Sequence, residues 1–425
     1  MSKKKDSLKP WLSRPTINRS VTLPLTRPLT QRLSNLNEFH PNELDPYLLF
    51  DARDSMIGTL ENPTLDLDPS KPDTLNVITA TRAGTATYTD VNGLIASAPA
   101  NTVRVDHVDG VPMILVEPSA TNLVTNSNSF SASGTAVKTT GFEAPDGTNN
   151  STKISNIQDG DGEKAHCPLT SVSGSTQYSG SIYIKGTGGQ TIRVQAKRAT
   201  TGSFSGSGTQ TITFDGTWQR VTNLTWTTAS NNNDAFIVIK NEFGTTADEV
   251  YLWGGQIETG SVSTSVIPTS GSTAQRAKDD LKITGSSFSD FYNQSEGTFY
   301  LEFEPRELST SITNTAFELS NGTGAERILS HVDSQIHAYF VDGGNVQANL
   351  DGGTNTVGVL NRLAVSYKAN NIQVSVSGGA VVSDTSASIP TVDRLIIGNQ
   401  VDDTTRLLNG HIKRLIYWPY HSDNL

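Results

Sequence analysis

The sequence predicts an all-β protein in which tandem antiparallel β-sandwiches follow an extended N-terminal arm. Of its 425 residues, 36 are glycine and only 35% are hydrophobic, a composition typical of many short strands joined by turns. Apolar and polar residues alternate through most of the short segments, and few stretches have the periodicity of a helix. The chain is too long for one hydrophobic core and suits two or three domains.

The arm, residues 1–46, is distinguished by its prolines and its charge. Six prolines are spread along it, which excludes a stable helix or an interior strand. Residues 1–33 hold eight basic residues against one acid, whereas the whole chain has a net charge of −10. We expect the arm to anchor the protein on a partner, with a flexible basic terminus as the alternative. The predicted anchoring residues are Lys3, Lys4, Lys5, Trp11, Arg14, Arg19, Arg27 and Arg32.

Residues 47–126 predict a small β-rich collar that contains two hairpins. Asn92-Gly93 and Asp109-Gly110 each lie between strand-like residues. An Asn-Gly or Asp-Gly pair in that position is the strongest short-range hairpin pattern, because both residue types tolerate a positive φ.

Two larger β modules follow the collar. Residues 127–262 contain six or more short strands with one apolar face, which indicates a sandwich. A linker rich in Ser, Thr, Gly and Pro occupies residues 263–294, and residues 295–425 predict a second sandwich. In its first strand, Phe299 and Leu301 alternate with polar residues and should face the core.

The stretch from residue 79 to residue 123 resembles a family of bacteriophage virion proteins, the head-spike, head-fibre and tail-fibre proteins. The similar positions are the run Arg82 to Tyr88, then Asn101, Arg104 and Asp106, and the run Leu115 to Leu123. Gly84 stands where that family often has serine.

Both sandwiches carry further resemblance to the same family. Gln256, Glu258 and the phrase Ile267-Pro268-Thr269 are similar to its carbohydrate-binding-like jelly roll, and the last module resembles its concanavalin-like or laminin-G-like sandwich. The resemblance implies a structural subunit of a fibre or spike on the head or tail of a phage particle, made in the host cytoplasm. It also implies a homotrimer whose arm docks on a capsid, portal or tail component.

Bulk properties exclude several other classes. A single cysteine, Cys167, excludes an intramolecular disulfide framework and a cysteine-rich zinc site. No apolar run approaches the roughly 18 residues of a membrane-spanning helix, and the basic N-terminus lacks the apolar segment of a signal peptide. The acidic net charge argues against general nucleic-acid binding. We therefore expect neither membrane insertion nor a nucleic-acid partner.

Two groups of polar residues are candidates for chemistry. Glu302 and Glu304 lie two apart on one strand and would share a face, as paired carboxylates for glycan cleavage do. The alternative is a solvated strand face. His331, Asp333 and His337 could converge on a metal, against ordinary polar residues near a hairpin.

A structural calcium ion is the one cofactor that the sequence suggests. Asp342 and Asp351 precede Gly-Gly pairs and offer oxygen ligands on turns, with ordinary turn chemistry as the alternative. The sequence contains no Walker loop, no Gly-x-Ser-x-Gly elbow and no dinucleotide-binding fingerprint. We therefore expect a protein that is not an enzyme.

Host surface polysaccharide is the expected ligand, because aromatic rings stack on sugar faces while polar groups take the hydroxyls. We predict Tyr178, Tyr183 and Trp226 as glycan-binding residues, and expect Trp218 and Trp253 to fill the core. Two alternatives stay open: a glycan-cleaving virion enzyme, and a purely architectural or decoration protein without receptor binding.

Overall fold

Antiparallel β-sheets provide almost all of the regular structure in the computed structural model of this protein. The structure describes residues 60, 62–158, 160–168, 170–198, 208–228, 230, 234–242, 244–307, 314–401 and 406–425. The chain divides into two units after Arg53, and every described residue lies in the second, Asp54–Leu425. The predicted arm and all eight predicted anchoring residues therefore lie outside the described residues.

Thirty strands are present in the described part of the chain. The first eight are β1 Leu65–Leu67, β2 Thr79–Thr81, β3 Ala86–Thr89, β4 Ile95–Ala98, β5 Val105–Val108, β6 Val111–Val116, β7 Ala120–Asn122 and β8 Ser131–Ala132. The next ten are β9 Val137–Phe142, β10 Ser151–Ser155, β11 Gly162–His166, β12 Thr170–Ser171, β13 Gln177–Gly186, β14 Thr191–Arg198, β15 Thr209–Thr213, β16 Gln219–Thr227, β17 Asp234–Asn241 and β18 Glu249–Thr259. The last twelve are β19 Ala274–Arg276, β20 Asp280–Thr284, β21 Glu296–Pro305, β22 Asn314–Ser320, β23 Arg327–Val332, β24 Gln335–Asp342, β25 Asn345–Thr354, β26 Asn361–Lys368, β27 Asn371–Val376, β28 Val382–Asp384, β29 Arg394–Ile397 and β30 Gly410–Trp418.

Helical structure is limited to two short elements in the described residues. They are a 3-10 turn, Pro72–Leu75, and the four-residue helix α1, Ser286–Ser289. Neither has the length or the apolar content that a membrane-spanning helix requires.

Strands β8 to β18 form a sandwich of two sheets. We call it the inserted sandwich, because the chain before it and the chain after it both contribute strands to a second sandwich. One has the order β16-β13-β18-β10-β9, and the other has the order β15-β14-β17-β11-β8 with β12 beside β17. Ile182 and Ile184 of the first sheet and Ile192 and Val194 of the second are buried in one shared core. Alternate side chains of a strand point to opposite faces, so each sheet buries one of its faces in this way.

The terminal sandwich is formed by a larger pair of sheets. Its eight-stranded sheet has the order β28-β27-β26-β21-β30-β6-β5, with β1 beside β30, and its seven-stranded sheet has the order β2-β20-β29-β22-β23-β24-β25. Phe299, Leu301 and Phe303 of the first sheet share one core with Phe317 and Phe340 of the second. The predicted all-β class with two antiparallel sandwiches is confirmed.

Parts of the expected collar and linker belong to the sheets of the terminal sandwich, whereas β3 with β4 and β7 with β19 form two separate two-stranded sheets. Strands β1, β5 and β6 join its eight-stranded sheet, where Ile114 pairs with Ile412, and β2 joins the seven-stranded sheet. The stretch 263–294 carries β19, β20 and α1, and β20 lies inside the seven-stranded sheet. The inserted sandwich therefore interrupts the terminal sandwich in the chain. Local alternation does not encode which distant strands pair, so this connection was not predicted.

Both predicted hairpin turns are present. Val108 pairs with Val111, and the intervening Asp109 and Gly110 have φ values of 50° and 77°. A two-residue hairpin turn with positive φ at both positions matches the twist of its strands. Strands β3 and β4 also form a hairpin, but Thr89 pairs with Ile95 across a longer loop that contains Asn92 and Gly93. In this loop Gly93 has a φ of 78°, whereas the φ of Asn92 is not positive.

Candidate binding cleft

A cleft of about 380 Å³ lies between the β3–β4 hairpin, strand β5 and the inserted sandwich, close to the end of β21. The inserted sandwich contributes two aromatic rings and an arginine to its lining. The other elements contribute polar, charged and apolar side chains, among them the Tyr88 ring. The lining residues are Thr87, Tyr88, Thr89, Gly93, Ile95, Asp106, His107, Val108, Asp109, Tyr183, Trp218, Arg220, Ser265, Val266 and Arg306.

The aromatic side of the cleft is formed by Tyr183 and Trp218. Both side chains are half-buried, Tyr183 within β13 and Trp218 immediately before β16. The Tyr183 ring meets the buried Trp253 ring edge to face, with 5.5 Å between centroids. Trp253 is itself fixed, because its Nε1–H donates to Asn150 Oδ1 at 2.7 Å. Burial raises the pKa of Tyr183, so its phenol is neutral at neutral pH.

Arg220 lies next to this aromatic surface. Register pairs it with Tyr183 across β13 and β16, and its guanidinium carbon is 5.5 Å from the centre of the Tyr183 ring. Its Nη2 donates to Ser181 Oγ at 3.2 Å and to the Thr264 carbonyl at 2.5 Å. These two hydrogen bonds and the cation–π contact hold the guanidinium in one position.

The opposite side of the cleft is centred on Asp106. The Thr89 N–H donates to its Oδ1 at 2.5 Å, and His411 Nε2 lies 2.9 Å from its Oδ2. Burial acts to raise the pKa of Asp106, but the hydrogen bond and charge of His411 and the charge of Arg306 outweigh it and lower the pKa. Asp106 is therefore an ionised carboxylate whose hydrogen-bonding capacity is already largely used.

Beneath the cleft lies a set of buried ion pairs, which we call the junction network. Arg104 is fully buried between Glu117, at 2.8 Å, and Asp279. Arg82 contacts Asp279 at 2.8 Å, and Arg276 contacts Glu117. Arg306 and Asp106 complete the network at the edge of the cleft.

Several residues of the junction network belong to the stretch on which the family resemblance rests, residues 79–123. Arg82, Arg104, Asp106 and Glu117 all come from that stretch, and their partners come from residues 276–306 and from β30. Buried charges are tolerated only when they are paired, so these side chains hold the stretch from Arg82 to Glu117 against residues 276–306 and β30. They are structural residues, and the cleft is built on them.

Two of the three predicted glycan-binding residues are corrected by the structure. Tyr178 and Trp226 are each only 2% exposed, and their rings stack on one another at 5.7 Å in the core of the inserted sandwich. A sugar could not reach either ring without unfolding the module. Of the predicted set, Tyr183 is the residue that lines the cleft.

The two predicted calcium ligands lie apart. Asp351 faces His337 across β24 and β25, five residues from Asp342 along β24, so the two carboxylates are about 16 Å apart. Asp342 accepts a hydrogen bond from Ser388 Oγ, and Asp351 accepts one from Gln335 at 3.0 Å. One ion cannot bind both residues, and the presence of a structural ion elsewhere stays a prediction.

The histidine cluster that was a metal candidate is partly assembled. His331 and His337 face each other across β23 and β24, and His337 Nε2 lies 3.7 Å from Asp333. Burial lowers the pKa of His331 to about 4, so it is neutral at neutral pH. Within the described residues, no group of three or more His, Cys, Asp or Glu side chains is arranged to bind a metal ion.

One member of the candidate carboxylate pair, Glu302, is held in salt bridges. Glu302 is fully buried and lies 3.1 Å from Lys413 Nζ and 3.4 Å from Arg362 Nε, and Tyr300 donates to it at 3.0 Å. Glu304, two residues on, is half-buried.

The two residues that the sequence did not assign to a site are Trp218 and Arg220. Trp218 was expected in the core with Trp253, but Trp253 is buried and Trp218 lines the cleft. Trp218 and Arg220 are two residues apart in the sequence, which indicates that they share a strand face. That Tyr183 lies beside them follows from the pairing of β13 with β16, which spacing alone does not give.

No protein-family model matches the sequence, and no curated protein matches it. Among solved structures, the CBM40 domain of the Ruminococcus gnavus IT-sialidase bound to α2,3 sialyllactose is 14% identical, with a TM-score of 0.27 over 31% of this chain and 80% of that chain. Domain 4 of a GH43 extracellular arabinanase from Geobacillus stearothermophilus, in complex with arabinotriose, is 16% identical, with a TM-score of 0.28 over 34% of this chain and 68% of that chain. Domains LG4-5 of the mouse laminin alpha1 chain are 12% identical, with a TM-score of 0.24 over 75% of this chain and 93% of that chain. Scores in this range do not establish a shared ligand.

Proposed function

We propose that this protein is a carbohydrate-binding structural subunit of a phage appendage, and that the cleft at Tyr183, Trp218 and Arg220 receives a host surface glycan. The observation that carries the proposal is that two half-buried aromatic rings and several hydrogen-bonding groups line one cleft. Sugar rings have apolar C–H faces and polar edges, so a site of this composition suits them.

The dimensions of the cleft support a small ligand. Its volume of about 380 Å³ lies within the range of roughly 300–1,000 Å³ that is usual for small-molecule sites. The junction network beneath it fixes β5, β6 and the segment around Ser265, so the polar wall is preorganised. Preorganisation lowers the entropic cost of binding.

Binding of the purified protein to an array of bacterial surface oligosaccharides, followed by calorimetry on the positive sugars, tests this function. Trp218→Ala should weaken binding about tenfold or more, because it removes a stacking surface. Tyr251→Ala is the matched control, since Tyr251 is a half-buried aromatic residue of the same sandwich outside the cleft. Equal affinities for the two variants and the wild type would refute the assignment of the cleft.

The appendage role rests on the resemblance of residues 79–123 and on the charge of the arm. The basic arm, residues 1–46, docks on a capsid, portal or tail component, and a homotrimer multiplies weak glycan contacts by valency. A protein lacking residues 1–46 should fold and stay in solution but should not be incorporated into particles. Normal incorporation of that truncated protein would contradict the anchoring role.

The protein binds its glycan without cleaving it. The state of the candidate carboxylate pair supports this, because Glu302 is buried and paired with Lys413 and Arg362. A general acid or nucleophile must reach the glycosidic bond. Incubation with host polysaccharide should release no reducing sugar above a heat-denatured control, and sustained release would favour the glycan-cleaving alternative.

A further inference from the structure

We infer that the glycan bound in this cleft is acidic, and that Arg220 receives its carboxylate. The inference rests on the proposed carbohydrate-binding function and specifies the class of sugar. It follows from the state of each charged group that lines the cleft.

Arg220 is a half-buried cation without a carboxylate partner. None of the described residues forms an ion pair with it, and its hydrogen-bond acceptors are the neutral oxygens of Ser181 and Thr264. Its Nε–H is buried, and no acceptor for it is present among the described residues. A partly desolvated charge with no counter-charge costs free energy in the unbound protein, and an anionic ligand offsets that cost.

The other charged groups at the polar wall already have partners within the protein. Arg306 lies 2.7 Å from Glu117 and 3.6 Å from Asp106, so it already pairs with two carboxylates of the junction network. Asp106 in turn is bound by His411 at 2.9 Å. Among the described residues that line the cleft, Arg220 is therefore the cation without a carboxylate partner, and an incoming anion can pair with it. Asp109 lies on the exposed turn between β5 and β6 at the rim.

The position of Arg220 fits a carboxylate carried by a stacked sugar. Its guanidinium lies 5.5 Å from the centre of the Tyr183 ring, so a sugar ring on the aromatic side would bring a ring substituent to the guanidinium. Guanidinium groups bind carboxylates through charge-assisted hydrogen bonds, which are about twice as strong as neutral ones. A neutral sugar would stack on the same aromatic surface but would leave the Arg220 guanidinium without a counter-charge.

The test compares oligosaccharides that contain hexuronic or sialic acid with their carboxyl-reduced, neutral counterparts, by calorimetry at low and high salt. The wild type should bind acidic forms about tenfold or more tightly than reduced forms, and the preference should shrink as salt rises. Arg220→Gln should remove the preference but keep binding of the reduced sugars. Arg220→Lys should keep part of it. The control Arg193→Gln alters a half-buried arginine of the same sandwich that pairs with Glu242, and it should behave as the wild type.

The possible outcomes separate the two proposals. Equal affinity of the wild type for acidic and reduced sugars would overturn the inference and leave the carbohydrate-binding function intact. An unchanged preference in Arg220→Gln, with a melting curve like that of the wild type, would also overturn the role of Arg220. Failure of every acidic and neutral probe to bind the wild type would overturn both proposals.

Discussion

Replacing Glu117 by glutamine should destabilise the fold strongly, because this carboxylate balances several buried guanidinium groups. Glu117 is fully buried and accepts from Arg104 at 2.8 Å, from Arg306 at 2.7 Å and from Arg276. Ser265 also donates to it, through its N–H and its hydroxyl, each at 2.7 Å. Glutamine keeps the shape of the side chain but removes the charge and replaces one acceptor by a donor.

The expected magnitude follows from the charges of the junction network. The network contains four arginines and three carboxylates, which leaves one positive charge in excess. The arginines are Arg82, Arg104, Arg276 and Arg306, and the carboxylates are those of Asp106, Glu117 and Asp279. Loss of one carboxylate doubles the excess positive charge in a buried region. Removing one partner from a buried ion pair typically costs about 3–5 kcal/mol. At about 2–4 °C per kcal/mol for a large domain, the melting temperature should fall by roughly 6–20 °C.

Thermal melts by circular dichroism at pH 7, with urea unfolding as a second measure, check this prediction. Glu249→Gln is the matched control, because Glu249 is a half-exposed carboxylate that pairs with Lys153 at 3.1 Å. Exposed ion pairs contribute at most about 1 kcal/mol, so the control should melt close to the wild type. If both variants lose the same small amount of stability, the ion pairs of the junction network do not stabilise the fold as we expect.

Three further measurements test the described positions of single residues. In urea unfolding, Trp226→Ala should lower the free energy of unfolding by about 3–5 kcal/mol and Trp218→Ala should lower it much less, since of the two only Trp226 is in the core. Similar losses in the two variants would contradict the placement of Trp218 in the cleft. Burial acts to raise the pKa of Glu117, but Arg276, Arg104 and Arg306 hold it well below its ordinary value. The contribution of the Glu117 charge to the free energy of unfolding is therefore fully present above the unfolded pKa of about 4.3 and is lost as pH falls further. The difference in stability between the wild type and Glu117→Gln should accordingly narrow from pH 7 to pH 3. A constant difference would contradict an ionised Glu117. Burial raises the pKa of Cys167 to about 12, so a thiol reagent at pH 8 should label it only in denaturant, and rapid labelling of the native protein would contradict its burial.

The local sequence was sufficient to predict the strands, their buried faces and the tight turn at Asp109. Ile182 and Ile184 face the core of the inserted sandwich and Phe299 and Leu301 that of the terminal sandwich, as their alternation predicts. The turn at Asp109 was equally predictable, because its backbone conformation is set by a few adjacent residues. These features depend on neighbours one or two positions away in the chain.

The tertiary structure alone decided how the strands are shared and which side chains form the cleft. Ile114 pairs with Ile412, although the entire inserted sandwich lies between them in the sequence. Arg104 can be buried because it pairs with Asp279, which follows that insertion in the sequence. Trp226 is in the core and Trp218 lines the cleft, the reverse of what the sequence predicted for these two residues. Strand register and charge pairing between distant segments determine these outcomes, and neither is encoded in the spacing of nearby residues.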